Sequence, residues 1–248
     1  MIRELEAIGR ACWPAEETVV LDGWLLCFSP GTTRRTHSVH PVDDGTLPVD
    51  ERIALCEARY RERGSRTVFK LTDEVRPHDL EAVLERRGYR LEDPTSVQVL
   101  DLQQWRGAVS DPIGQRQQLD DAWLAAAARC NEWSDERIPP LRGVFERIAP
   151  PCVFAGLRED DRIVAQALGV LRDGQLGCFD IATDPSCRGR GLGERLVRGL
   201  LGWGRERGAQ RAFLQVVVEN APAQGLYRKL GFQEAYRYWY RSSLVGPA

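Results

Sequence analysis

The 248-residue chain is predicted to be α/β (α+β), a mixed, mostly antiparallel sheet flanked by helices, and three observations predict it. Residues 152–183 hold three β-rich runs separated by Arg158-Glu-Asp-Asp-Arg162 and Arg172-Asp-Gly-Gln175, which read as hairpin turns and make an antiparallel meander. The third run, ending Ile181-Ala-Thr-Asp-Pro, feeds a glycine-punctuated turn, an amphipathic helix and a further strand, which is a parallel crossover. The two halves also share a pattern. Tyr60-Arg-Glu-Arg-Gly64 and Gly204-Arg-Glu-Arg-Gly208 each lead to a helix that stops at a glycine and an aromatic residue, Gly88-Tyr89 and Gly231-Phe232.

In the second half the spacing predicts helices over 118–131 and 137–148, then strands over 152–158, 162–172 and 175–183. Ser134 is a candidate N-cap of the second helix, with Asp135 and Glu136 favouring its dipole. The helix after the glycine turn covers 191–207, followed by a strand at 211–218, a helix at 221–230 ended by Gly231, and a strand at 232–242. Apolar periodicity lapses from Asp101 to Pro112, which places a linker near 102–114 and domains at 1–104 and 113–243. In the first half Asp50 is a plausible N-cap for a helix preceded by no Gly-x-Gly turn, and Leu84 stands where the second half has Tyr227. The first half is therefore expected to be a degenerate copy that packs against the second and walls one side of its cleft.

Composition excludes more than it selects. A net charge of -2 without a long Lys/Arg block argues against nucleic acid as a partner. No run approaches the roughly 20 apolar residues of a membrane span, and the acidic start lacks a signal-peptide pattern, so no membrane partner and a cytoplasmic location are expected. The seven cysteines are odd in number and never paired as CxxC, which fits reduced thiols better than disulfides or zinc. His37 and His40 on a predicted strand lack a third ligand at sensible spacing, so no metal site is expected.

The turn Arg188-Gly-Arg-Gly191-Leu-Gly193 carries the chemistry. Glycine lets the backbone approach an anion closely, and the unpaired N–H groups of a first helical turn point at it. Further on come Asn220 and then Leu226-Tyr227-x-x-Leu230-Gly231-Phe232. Both motifs together, in this order, resemble the acyl-CoA-binding core of the GCN5-related N-acetyltransferases (GNATs), with the match strong from about residue 115 to 242. Gly23-Trp-Leu-Leu, Thr33-Arg-Arg-Thr-His-Ser and Arg86-Arg-Gly-Tyr more loosely resemble the first halves of two-domain bacterial members. The resemblance implies a tandem GNAT-like fold whose C-terminal half opens as a V between two parallel strands, and an acetyltransferase using acetyl-CoA without a metal. It implies that backbone groups of Arg188, Gly189, Arg190, Gly191, Leu192 and Gly193 hold the pyrophosphate while Ile181, Ala182 and Thr183 pair with the pantetheine arm. Asn220 is either a helix cap or a contact to that arm. Tyr227 is either core packing or the general acid that protonates the leaving thiolate.

The general base is less legible. The strand positions from which relatives hang a titratable group hold Gly177, Phe179 and Gln215 here, so Glu219 and Asp180 are the nearest carboxylate candidates. Each has a plain alternative, a solvated loop charge for Glu219 and a hydrogen-bond anchor for Asp180. The acceptor site is expected along Asn131-Glu132-Trp133-Ser-Asp135-Glu136-Arg-Ile-Pro-Pro140, where carboxylates attract a cationic amine and Trp133 forms an apolar wall. The leading reading is acetyl transfer to a small-molecule primary amine by direct attack in a ternary complex, in a monomer or homodimer. A protein amine (N-terminal or lysine) as acceptor, and an acyl-CoA-binding module without catalysis, are the alternatives.

Overall fold

The computed structural model describes residues 1–29, 31–107 and 114–244; the expected linker falls partly outside them. The chain divides into two units, Val97–Ala235 and Met1–Ser96 with Tyr236–Ala248. The expected domains, 1–104 and 113–243, divide the chain differently. The strand at Arg90–Asp101 ends three residues short of the expected first-half end at 104 and crosses the boundary between Ser96 and Val97, and the last strand, read as part of the second half, belongs from Tyr236 onward to the first unit. Punctuation by Pro and Gly marks where an element ends; it carries no record of which unit an element packs in.

In chain order the elements are α1 (Ile2–Cys12), β1 (Glu17–Leu21), β2 (Trp24–Phe28), β3 (Val39–Pro41), α2 (Val49–Arg61), β4 (Val68–Thr72), α3 (Leu80–Arg86), β5 (Arg90–Asp101), β6 (Gly114–Arg116), α4 (Asp121–Cys130), α5 (Ile138–Glu146), β7 (Cys152–Glu159), β8 (Arg162–Arg172), β9 (Gln175–Thr183), α6 (Leu192–Glu206), β10 (Arg211–Val217), α7 (Ala221–Leu230) and β11 (Gln233–Ser242). In the second unit β6, β7, β8 and β9 are neighbours in an antiparallel series, and β10 adds parallel to β9. The turn between β8 and β9 places Asp173 and Gly174 at φ 47 and 71°, the paired left-handed residues of a tight hairpin. Leu196, Val197, Leu200 and Leu201 on one stripe of α6 pack into a core with Val153, Ala165, Ala167, Leu176 and Leu214. Gly204 lets the helix approach closely, since a Cβ there would lie 2.7 Å from the Leu176 side chain.

The first unit repeats the order strand, helix, parallel strand, helix, strand. β1, β2 and β3 are antiparallel, β3 and β4 are parallel, and β11 pairs antiparallel to β4 from Tyr238↔Thr72 to Ser242↔Val68. The helix ends repeat at atomic detail. Gly64 donates to Arg61 O and Ser65 to Tyr60 O, as Gly208 donates to Arg205 O and Ala209 to Gly204 O. Likewise Tyr89 donates to Leu84 O and Phe232 to Tyr227 O, both at 3.0 Å, after Gly88 and Gly231 at φ 81 and 97°. Four matching Schellman-type stops are hard to reach by accident from surface helix ends.

Two caps differ from expectation. Pro48, with the φ fixed by its ring, precedes α2, and Asp50 lies inside the first turn, paired with Arg87 at 3.1 Å. Ser134 precedes a 3₁₀ turn, Asp135–Arg137, without a side-chain cap bond. All seven cysteines are buried thiols, and no cluster able to hold a metal exists among the described residues. Among them no helix is long and apolar enough to cross a membrane.

Candidate active site

The site is built where β9 and β10 part. Their parallel register runs from Arg211↔Gln175 to Leu214↔Cys178 and ends there. Just beyond, β9 carries a bulge: between the pairs Leu168↔Phe179 and Gln166↔Ala182, β8 has one residue and β9 two, with Asp180 at φ 49°. A bulge re-aims the strand and increases its twist. Ile181, Ala182 and Thr183 follow, all half-buried, held on one edge by β8 through Gln166↔Ala182 and Ala165↔Thr183.

The cradle follows β9. Asp184, 3% exposed, ties the intervening loop: it accepts from Ser186 N–H at 3.0 Å, the Ser186 hydroxyl at 2.6 Å, Arg129 Nε at 2.8 Å and the Arg162 guanidinium. The Ser186 hydroxyl and the Arg129 guanidinium hold its carboxyl well below the usual carboxylate range. Gly189 and Gly191 adopt φ 77 and 75°, a conformation that suits glycine, and a Cβ on either meets nothing within 4 Å. Gly191 is the N-cap of α6, whose first intrahelical bond is Arg195 N–H to Gly191 O. The N–H groups of Leu192, Gly193 and Glu194 thus have no intrahelical acceptor and face the space before the helix. Arg188 donates to Glu132 at 3.1 Å and Arg190 to Glu159 at 2.6 and 2.9 Å, all exposed pairs. Open N–H groups, glycines in the left-handed region and two arginines fit a phosphate-bearing ligand such as CoA.

In the first unit the corresponding loop is already paired. In the loop before α2, the Thr46 and Leu47 N–H groups donate to the Asp22 carboxylate at 2.8–2.9 Å, and Arg52 lies 3.3 Å from it. An internal carboxylate takes the place an external anion takes in a cradle, and those N–H bonds hold Asp22 below the usual carboxylate range.

Tyr227 on α7 is 6% exposed and edge-on to Phe232 at 6.0 Å. Burial, with Cys178 of β9 nearby, pushes its hydroxyl well above the usual phenol range, so it remains a proton donor at every physiological pH. Asp180 accepts from Asn131 Nδ2 at 3.2 Å and Gln166 Nε2 at 3.1 Å, which turns its carboxylate toward α4 and the start of the loop at 131–140. Glu219 is exposed in the turn after β10, away from these contacts. Asn220 caps α7 by accepting from Ala223 N–H at 3.2 Å. Gly177 is required by packing, since a Cβ there would lie 2.4 Å from the Phe179 ring, which in turn packs on Phe213 at 5.8 Å. Of the strand positions where a base was sought, Gly177 is covered by the Phe179 ring, Phe179 packs on Phe213, and Gln215 is a half-buried amide, so none offers a base. Trp133 is half-buried and stacked on Phe145 at 6.2 Å, while Glu132, Asp135 and Glu136 are exposed. His37 ends a 3₁₀ turn rather than lying on a strand, and its Nδ1 accepts from Ser29 N–H; His40 is on β3. Sequence reasoning missed the bulge at Asp180, its anchors Asn131 and Gln166, and the Asp184 hub; only Asp184-Pro185 carried a local turn signal.

Comparison with known proteins agrees with this geometry. The chain is 27% identical over 244 residues to the uncharacterized N-acetyltransferase YobR of Bacillus subtilis, covering 97% of this chain and 98% of that one. A GCN5-related N-acetyltransferase from Kribbella flavida superposes with a TM-score of 0.69 at 16% identity, covering 98% and 95% of the two chains. A tandem GNAT protein from the clavulanic acid biosynthesis pathway superposes with a TM-score of 0.64 at 14% identity, covering 98% and 88%. The family described as "Probable histone acetyltransferase Rv0428c C-terminal" matches residues 1–241. With that match spanning nearly the whole chain, the protein belongs to this acetyltransferase family and is a GNAT-type N-acetyltransferase.

Proposed function

We propose that the second unit transfers an acetyl group from acetyl-CoA to a primary amine of a small molecule by direct attack in a ternary complex. One observation carries this reading: the open first turn of α6 lies against the end of β9, a Cβ on Gly193 falling 3.9 Å from Thr183 Oγ1, just past the point where the pairing of β9 with β10 stops. Bound there, acetyl-CoA supplies a thioester-activated acetyl group. Leu192, Gly193 and the loop from Arg188 hold its pyrophosphate, with Arg188 and Arg190 exchanging their carboxylate partners for phosphate. Ile181, Ala182 and Thr183 pair with the pantetheine amides as an added strand. Tyr227 donates its proton to the leaving sulfur. Asp180, anchored by the amides of Asn131 at the end of α4 and Gln166 of β8, takes the proton from the amine directly or through water, and Glu219, exposed in the turn after β10, is the alternative carboxylate. Asn220 keeps its cap and leaves arm contacts to the backbone.

A protein amine is the second reading, favoured by the histone named in the family description and by the exposure of Glu132 and Ser134–Arg137 in the acceptor loop. The first test is the melting midpoint with acetyl-CoA, desulfo-CoA and NAD. A ligand at a hundred times its dissociation constant adds about 2.7 kcal/mol. Stabilisation by acetyl-CoA but not NAD, followed by thiol release with small amines, is the expected result. Stabilisation with release only on peptide amines selects the second reading, and no stabilisation by either CoA species refutes the site.

A further inference from the structure

The first unit has its own pair of parallel strands. β3 and β4 share the register pair Val39↔Phe69. A cavity of about 190 Å³ lies past that point, lined by His40, Pro41 and Val42 of the β3 side, Lys70, Thr72 and Glu74 of the β4 side, and Ile2, Arg3, Glu6 and Arg10 of α1. The carboxyl ends of parallel strands are where open α/β sheets bind ligands.

The floor of the cavity is polar and internally neutral. Lys70 Nζ donates to Glu6 Oε2 at 2.5 Å and sits 3.9 Å from the Tyr238 ring centroid, while Tyr236 Oη donates to Glu6 Oε1 at 2.7 Å. His40, 4% exposed, donates through Nε2 to Arg35 O at 3.2 Å, which leaves Nδ1 as an acceptor. Burial, followed by the Lys70 charge, lowers its pKa to about 3, so the ring is neutral. Such a network is costly to bury and contributes little to stability by itself.

The rim is charged and divided. Arg3 and Arg10 come from α1, Asp43 and Glu74 from the segments after β3 and β4. Arg10 has five donors, and its ion pair with Glu6 is long, at 4.0 Å; Arg3 and Glu74 are 3.9 Å apart. The lining sums to zero: three cations (Arg3, Arg10, Lys70) and three carboxylates (Glu6, Asp43, Glu74). At the rim, cations supplied by α1 and carboxylates supplied by the segments after β3 and β4 come together, Arg3 and Glu74 within 3.9 Å of each other, and with apolar Ile2, Pro41 and Val42 in the same lining they suit one kind of ligand. We propose that this cavity binds a small aliphatic amino acid as its zwitterion, carboxylate on Arg10 and Arg3, ammonium on Asp43 and Glu74. The volume holds about six waters at roughly 30 Å³ each, which matches a molecule of that size.

Calorimetric titration of the full chain with L-valine tests this, with acetate and methylammonium as the separated halves. Saturable binding of valine, weakened at least about tenfold by Arg10→Gln and by Asp43→Asn, is expected, with neither half competing at the same concentration. Asp43 is exposed, so its variant keeps the fold even if the Arg10 variant does not. Absence of valine binding overturns the proposal. So does binding unchanged in both variants, which places the amino acid elsewhere, and so does acetate binding as tightly as valine, which removes the ammonium from recognition.

Discussion

At Tyr227 one side chain separates binding from chemistry. Its hydroxyl is placed by a buried ring that packs on Phe232, and burial keeps it protonated. Tyr227→Phe preserves the ring and removes the proton. Turnover is expected to fall by roughly 10²-fold, within the usual range for a general acid, with little change in acetyl-CoA affinity. Steady-state kinetics and a binding titration check this, and an unchanged kcat removes the acid assignment. The direction of the pKa shift adds a sign: the acid form persists as pH rises through 10, so no fall in rate over pH 6–9 is attributable to Tyr227. Tyr227 was legible because a motif position and a helix stop coincide in sequence. Asp180 was legible as a carboxylate only; its two anchors lie 49 residues upstream on α4's end and 14 upstream on β8, which no local pattern links.

Among the elements, the segment from Asp184 to α6 shows how local chemistry shapes a ligand site. Asp184 closes the turn through Ser186, two guanidinium groups bind the same carboxylate, and two glycines then take φ values near 75°. Gly191→Val introduces a β-branched residue into the left-handed region, which costs roughly 1–2 kcal/mol or more in backbone strain. Since a Cβ at Gly191 meets nothing, the fold is expected to survive with a melting point a few degrees lower. The strained residue pulls the N–H groups of Leu192 and Gly193 off the anion, so the stabilisation by acetyl-CoA should disappear. Retained stabilisation counts against the cradle. The elements around it were the best read in the chain: the strands at 162–172 and 175–183 and the helix at 221–230 match the observed spans, because hairpin turns and glycine stops are signals of a few adjacent residues. The bulge in β9 was not read, because nothing in Phe179-Asp180-Ile181-Ala182 marks an extra residue.

For the whole molecule, the tandem architecture was legible in the repeated helix stops, whereas the ownership of the last strand was not. β11 follows α7 directly, and only the structure shows that its final residues complete the sheet of the first unit. Their contacts there are dense. Tyr236 bonds Glu6, Trp239 Nε1 and the Arg241 guanidinium share Glu81, Arg241 also donates to Tyr89 O, and Ser243 exchanges bonds with Thr67. Removing them strips β4 of a partner strand, takes the Tyr236 hydroxyl from Glu6, which keeps Lys70, and takes the Trp239 and Arg241 donors from Glu81; a hydrogen bond lost from a buried polar group costs about 1–3 kcal/mol. A chain ending at Ala235 is therefore expected to lose the fold of its first unit, although every residue of 1–96 is still present. Limited proteolysis read by mass spectrometry checks this: cleavage within 1–96 should appear in the chain ending at Ala235 and be absent from one ending at Leu244. Equal resistance in the two chains means that the first unit does not depend on the strand supplied from the far end of the sequence.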